Sequence, residues 1–182
     1  MNDKIFKSSV FVIILIVFLV FIASGVNAAN SSEDTTVLSL AKGGLSIHYP
    51  SDWGVGDAVS NYSTMSIVKL ASIDSSGVGQ VNVNFEKKPL EKDLETYLKE
   101  TYKSMESDSS FEMISSGQTV VCGKEAAEYV YISNDDNVEK EHKAVWFEKG
   151  GQAYVMLYSA PVDQFESNLY VFDYIVSDIQ IT

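Results

Sequence analysis

The chain of 182 residues contains no arginine, since all 13 of its basic residues are lysine. It carries 25 acidic residues and a net charge of -12. Without a guanidinium group there is no bidentate fork for a phosphate, and a net negative surface repels nucleic acids and anionic lipid headgroups. We therefore expect no nucleic acid partner, and we interpret the charge as a soluble acidic exterior or as a surface that favours a cationic partner.

Cysteine and histidine are scarce as well. Cys122 is the only cysteine, so the chain has no intrachain disulfide framework, and we interpret this residue as a buried structural thiol at the end of a strand. The two histidines, His48 and His142, are far apart in the chain, and neither an H-E-x-x-H nor a C-x-x-C spacing is present. Each histidine is interpreted as a solvated or sheet-face side chain, and no cofactor is predicted.

The sequence also lacks a catalytic signature. The G-x-S-x-G turn of serine hydrolases is absent, and nothing places a histidine next to Cys122 as a base. The many acidic residues leave a secreted hydrolase with a carboxylate pair as an alternative, but no motif marks a particular pair. We predict no catalytic residue and a protein that is not an enzyme.

The N-terminal residues have the pattern of an export signal. Lys4 and Lys7 precede an unbroken apolar run, 10–23, and small residues follow it up to Ala28. As a helix this run spans about 21 Å, short of the roughly 30 Å of a membrane core, and the pattern is typical of a signal peptide. We predict that residues 1–28 are a signal peptide or an N-terminal membrane anchor. The protein is then extracytoplasmic, either secreted or tethered to the outer face of the cytoplasmic membrane, with membrane contact only through an uncleaved leader.

The rest of the chain is predicted to form one domain. Residues 29–36 are small and polar and are interpreted as a linker, and residues 37–182 are enough to bury a full core. Asn30 and Asn61 each begin an N-x-S/T sequon, so both are possible glycosylation sites in an exported protein.

Within this domain, strands alternate with two amphipathic helices. Glycine pairs in 42–44 and 149–151 predict hairpin turns. Pro89 is predicted to begin the first helix, and Pro161 the second, with Ser159 as its N-cap. Because most strands follow one another directly, the pattern predicts an α+β fold with a mainly antiparallel sheet.

Three stretches match the pattern of a known family. Residues 49–53, YPSDW, resemble its YPxxW opening, in which the proline ends a strand and the tryptophan folds back onto the sheet. Residues 123–129, GKEAAEY, resemble its G-x-x-A-x-x-Y entry into a strand, and residues 153–160, AYVMLYSA, with Phe165, are similar to its late aromatic strand and C-terminal helix. The family is the PsbP-like family, and the resemblance covers residues 37–182. The residues that mark this fold are Tyr49, Pro50, Asp52, Trp53, Gly123 and Tyr154.

The resemblance implies an α-β-α sandwich, with a central antiparallel sheet and helices on both faces. It also implies a non-enzymatic accessory role outside the cytoplasm, as in the extrinsic photosystem II subunits that help to retain calcium and chloride. No binding residue of the photosynthetic members can be matched in this chain, so their function is not carried over. We expect a non-photosynthetic prokaryotic member that binds an unknown protein partner at the cell surface.

One acidic stretch offers a calcium site as an alternative. Asp135, Asp136 and Glu139 could supply oxygen ligands, but Lys140 stands where an EF-hand loop needs glycine. We interpret the stretch as the polar tip of a hairpin, and we keep a surface calcium site as the rival hypothesis.

Aromatic residues late in the chain offer a glycan-binding surface as another alternative. Such side chains could stack on a sugar, but more often they form a hydrophobic core, and core is our interpretation. The residues are Trp146, Phe147, Tyr154 and Tyr158.

Overall fold

The computed structural model describes residues 36–56, 60–135 and 138–182, with only the backbone of Asp135. The predicted leader, Asn30 and Asp136 therefore lie outside the described residues. Among the residues described, no helix is long and apolar enough to cross a membrane.

The described residues form ten strands and two α-helices. Seven strands form a sheet in the order β3-β4-β5-β9-β8-β7-β6, and three form a second sheet in the order β1-β2-β10. All neighbouring strands are antiparallel. The strands are β1 Val37–Lys42, β2 Leu45–Pro50, β3 Trp53–Gly56, β4 Ser63–Lys69, β5 Asn82–Pro89, β6 Glu112–Val121, β7 Lys124–Asp135, β8 Val138–Lys149, β9 Gln152–Pro161 and β10 Gln180–Ile181, and the helices are α1 Leu94–Met105 and α2 Val162–Asp178.

The seven-stranded sheet is covered by one helix on each face. Successive side chains of a strand point to opposite faces. On β8, Val145 and Phe147 belong to the core that contains α2, whereas Ala144 and Trp146 belong to the core that contains α1. This arrangement confirms the predicted α-β-α sandwich. We call the two sides of the sheet the α1 face and the α2 face.

The stretch around the YPSDW motif closes the larger core. Leu45, Ile47 and Tyr49 of β2 alternate into the cluster that surrounds α2. Trp53 begins β3 and is only 2% exposed in the same cluster. The motif therefore carries the chain from the small sheet to the edge of the large sheet and fills the space between them.

The first helix begins later than the sequence predicts. Pro89 is the last residue of β5, where it lies opposite Gln152 of β9. The helix starts after Asp93, whose carboxylate accepts a hydrogen bond from the Thr96 amide at 2.8 Å. The side-chain cap, and not the proline, fixes the start, because a free N–H at the first turn needs an acceptor.

Two other local predictions are wrong. Helix α2 follows Pro161 without a side-chain cap, because the Ser159 hydroxyl faces His142 instead. Cys122 is exposed, not buried. It has a φ of 51° and precedes Gly123 with a φ of 73°, the two left-handed positions of a tight hairpin turn. Its thiol donates to the carbonyl of Ile179 at 2.8 Å.

Candidate functional site

A cleft of about 250 Å³ lies on the α2 face, between α2 and the strands β6, β7 and β8. We call it the α2 cleft. It is lined by Thr119 and Val120 of β6, Glu128 of β7, Lys143 and Val145 of β8, and Asp173, Val176 and Ser177 of α2.

An ion cluster lines the α2 cleft. Nζ of Lys143 lies 3.0 Å from Oδ1 of Asp173 and 3.4 Å from Oε2 of Glu128. Burial alone would lower the pKa of Lys143, but the hydrogen bond that its ammonium group donates to Asp173, together with the negative charges of Asp173 and Glu128, outweighs burial and raises this pKa above its usual value. The ammonium group therefore stays charged at neutral pH and ties the helix to two strands.

Two tyrosines border the cleft on the helix. Tyr170 lies three residues before Asp173, and Tyr174 lies three residues before Ser177, so each tyrosine is next to a lining residue of the cleft on the surface of α2. Tyr170 is 63% exposed and Tyr174 is 42% exposed. Exposed aromatic side chains next to a partly desolvated charge are typical of binding surfaces.

On the α1 face, His142 is buried between two serines. The Ser159 hydroxyl lies 2.8 Å from Nδ1 of His142, and the Ser133 hydroxyl lies 3.0 Å from Nε2. The imidazole stacks on the ring of Tyr131 at a centroid distance of 4.8 Å. Burial, with a smaller effect of Lys140, lowers the pKa of His142 to about 3, so the side chain is neutral at ordinary pH.

This serine–histidine contact has the distance of a nucleophile and its base. Both side chains are nevertheless buried, with Ser159 and His142 each only 4% exposed. Both ring nitrogens are also occupied by hydroxyl groups. The arrangement is that of a buried histidine with its hydrogen bonds satisfied.

Further polar side chains continue across the same face. Asn82 of β5 lies in register with Ser159 of β9, and Nδ2 of Asn84 donates to Oδ1 of Asn82 at 2.9 Å. Glu86 accepts hydrogen bonds from Ser60 at 3.1 Å and Ser63 at 3.3 Å. Burial raises the pKa of the Glu86 carboxyl above its usual value despite these bonds. The row is buried and hydrogen-bonded, so it offers no open site.

The residues that mark the fold have structural roles, in the core or in turns. Tyr49, Trp53 and Tyr154 are buried in the α2-side core. Asp52 lies in the exposed turn after β2, and its carbonyl accepts from the Leu70 amide at 3.0 Å. Gly123 forms the β6–β7 turn. None of them lines the α2 cleft.

The four aromatic residues considered for glycan stacking are core. Trp146 packs on the α1 side of the sheet, and Phe147, Tyr154 and Tyr158 pack on the α2 side. Sugar stacking on these four rings is thereby ruled out, because none of them is exposed.

The calcium and glycosylation candidates lie on exposed turns or outside the described part. Glu139 is exposed near the start of β8, and Asp135 ends β7 opposite Val138, so the stretch is a hairpin end. Among the described residues, no group of three or more histidine, cysteine or acidic side chains is placed to hold a metal ion. Because Asp136 and the side chain of Asp135 lie outside that part, the calcium site stays a prediction. It is tested by whether calcium raises the melting temperature of the wild type more than that of Glu139→Gln.

Asn61 is exposed in the turn before β4, and its glycosylation also stays a prediction.

Sequence reasoning missed the α2 cleft. The apolar stripe of the second helix is visible in the sequence, and Tyr170 and Tyr174 fall outside it. Two aromatic residues off the buried stripe of an amphipathic helix are the signal that could have identified this surface.

The comparisons with known proteins establish a fold. No protein family model matches the chain, and no curated protein sequence matches it. The solution structure of the cyanobacterial PsbP, CyanoP, from Synechocystis superposes with a TM-score of 0.58 at 16% identity, over 86% of this chain and 98% of that one. The crystal structure of LpqN, which is involved in cell envelope biogenesis of Mycobacterium tuberculosis, gives a TM-score of 0.57 at 14% identity, over 82% and 92%. The chain therefore has an α+β fold of the PsbP-like type, as the resemblance implied.

Proposed function

We propose that this protein is a non-enzymatic binding or accessory module that acts outside the cytoplasm and binds a protein partner through the α2 cleft. The observation that carries the proposal is the exposed pair Tyr170 and Tyr174 beside the Lys143 ion cluster. The predicted leader supports the location. So does the likeness in fold to LpqN, a protein involved in cell envelope biogenesis.

The chemistry of the cleft favours binding over catalysis. A lysine with a raised pKa holds its proton, so Lys143 is a poor base and a poor nucleophile at neutral pH. Its partners Glu128 and Asp173 are occupied by the same ammonium group. The charges are therefore fixed in place, which suits recognition of a complementary surface.

Charge and exposure indicate the kind of partner. The chain carries a net charge of -12, and the side chain of Asp173 is half exposed at the rim of the cleft. A basic side chain of a partner can approach Asp173 while apolar groups cover Tyr170 and Tyr174. We propose a partner surface that combines lysine or arginine with exposed apolar side chains, since aromatic anchors and complementary charge act together at interfaces.

The test is cross-linking in intact cells with a C-terminal tag on the full chain. We expect one partner at near-stoichiometric yield with the wild type, and its loss with Tyr170→Ser and Tyr174→Ser combined. The matched control is Tyr62→Ser, an exposed tyrosine in the turn before β4, far from the α2 cleft. A partner retained by the double variant, or lost equally with the control, would contradict the proposed surface.

A further inference from the structure

Strand β6 is an open edge of the seven-stranded sheet, and among the described residues it pairs only with β7. Its side chains are mostly exposed, including Ile114 at 48% and Val120 at 60%. An open edge presents unpaired N–H and C=O groups, which natural proteins block with lysine, proline or inward charges. Residues 113–121 contain no charged residue and no proline. The only irregularity is a register shift between Met113 and Ser115.

Gly117, at the middle of this edge, has no role within one copy that requires glycine. It is not among the glycines with positive φ, and a Cβ added there would meet nothing within 4 Å. A glycine inside a strand weakens it, and such a residue often marks the close approach of another backbone. The face of the sheet at Gly117 is therefore open, and no contact within one copy accounts for the glycine.

We propose that β6 pairs with β6 of a second copy of this chain, antiparallel about a two-fold axis at Gly117. In this register Gly117 faces Gly117 of the other copy and Ser115 faces Thr119, and the exposed Ile114, at the register shift, lies at the end of the pairing near Val120 of the other copy. The pairing brings the two exposed apolar side chains of the strand to the same end of the contact, and it does so twice because the contact is symmetric. Apolar contacts between side chains of adjacent strands stabilise a strand pair.

The charge pattern permits this contact between two acidic copies. Each chain carries a net charge of -12, so most faces of two copies repel each other. Because residues 113–121 are uncharged, no like charges are directly opposed along the joined strands. The first acidic residue, Glu112, lies beyond the register shift at the end of the contact, where the other copy begins its β6–β7 turn and carries Lys124, which is of opposite sign.

The joined sheet has a defined geometry. A two-fold axis through an antiparallel strand pair keeps the same faces on the same side, so the α2 clefts of both copies lie side by side across the axis. The dimer does not depend on the proposed partner, and the Tyr170 and Tyr174 variants should leave it intact. Failure of either proposal is therefore distinguishable from failure of the other.

Sedimentation velocity across a range of concentrations tests the dimer, with the full chain expressed with its own leader and purified in a mild detergent. We expect a concentration-dependent dimer of the wild type and its loss in Ile114→Lys, which places a charge on the open edge. The control is Val55→Lys, an exposed apolar residue on β3 at the opposite edge of the same sheet, which should keep the dimer. A monomer at every concentration overturns the proposal, and so does a dimer that Ile114→Lys leaves unchanged.

Disulfide cross-linking tests the register in a Cys122→Ser background. In Gly117→Cys the two introduced residues face each other with Cα atoms about 4.5–5.5 Å apart, within the range of about 4.4–6.8 Å that a disulfide spans. In Ser115→Cys the two thiols are four residues apart along the strands, about 13 Å, which is too far. We expect a covalent dimer with Gly117→Cys and none with Ser115→Cys on mild oxidation. Equal cross-linking of both variants, or of neither, overturns the register.

Discussion

Tyr102 of α1 and Trp146 of β8 are joined by a hydrogen bond across the α1-side core: Nε1 of Trp146 donates to the Tyr102 hydroxyl at 3.0 Å. Both side chains are buried. Burial raises the pKa of the Tyr102 hydroxyl well above its usual value. The bond satisfies the polar group of each aromatic ring while their apolar bodies fill the core, and it fixes the helix against the sheet.

Tyr102→Phe should destabilise the protein by roughly 1–3 kcal/mol, because the buried N–H of Trp146 loses its acceptor while the ring volume is nearly kept. The free energy of unfolding from urea titration measures this change. Tyr170→Phe is the matched control, since Tyr170 is exposed, and it should change little. Equal effects of the two substitutions would show that the hydrogen bond contributes nothing.

Stability should fall as the pH falls below about 6.5. The pKa of His142 is lowered from 6.5 to about 3 in the folded protein, so between these values the unfolded chain binds a proton that the folded protein does not. The contribution of His142 to the free energy of unfolding is therefore complete above pH 6.5 and decreases as the pH falls toward 3. The slope of this decrease is up to about 1.4 kcal/mol per pH unit.

Urea titrations of His142→Gln at several pH values test the assignment of this acid sensitivity. The variant should be less stable at neutral pH, but its stability should decline less steeply between pH 6.5 and 3 than that of the wild type. His48→Gln is the control and should keep the steep decline, because His142 is still present. A wild-type slope that survives in His142→Gln would assign the acid sensitivity to other groups.

Lys143→Met should cost about 1–3 kcal/mol, because it removes the cation between Glu128 and Asp173 and leaves two carboxylates close together. The effect should shrink at high salt, which screens the remaining repulsion. Lys92→Met is the comparison. The Lys92 pair with Glu100 is exposed on both sides, and such pairs contribute little. Thermal melts at low and high salt distinguish the two, and a loss for Lys143→Met that does not depend on salt would contradict the electrostatic explanation.

Gly79→Ala should destabilise the protein by about 1–3 kcal/mol. A Cβ at position 79 would lie 1.8 Å from Cγ2 of the buried Val68, so Val68 or the backbone must move. Gly117→Ala, measured by urea titration at a concentration where the chain is monomeric, is the control, because the space around Gly117 is open. We expect it to be neutral or slightly stabilising, and equal losses for both would show that the contact with Val68 is not the cause.

Much of the fold could be predicted from local patterns. The alternation of apolar and polar residues indicated where the strands lie. The glycine pairs predicted the hairpin turns, and positive φ is found at Gly43, Gly44, Gly150 and Gly151. The errors came from competing local signals. Pro89 fits the end of a strand as well as the start of a helix, and the nearby Asp93 supplied the cap. Cys122 follows two valines, yet the turn needed its backbone in the left-handed region, which turned its side chain toward solvent.

The candidate site could not be predicted in the same way. Glu128, Lys143 and Asp173 come from three elements, and nothing in the chain near Lys143 indicates that α2 passes over it. Tyr170 and Tyr174 could be seen to lie off the buried stripe, but their relation to the cleft depends on where the helix packs.

By itself, the sequence determined the local elements, the excess of acidic charge and the resemblance to PsbP-like proteins, because periodicity, turns and composition depend on residues close together in the chain. Only the tertiary structure decided that β5 pairs with β9, that α1 and α2 cover opposite faces, that His142 is buried and that β6 pairs with β7 alone among the residues that the structure describes. The physical reason is that these relationships join residues far apart in the chain. They are selected by the packing of the whole sheet and not by any local preference.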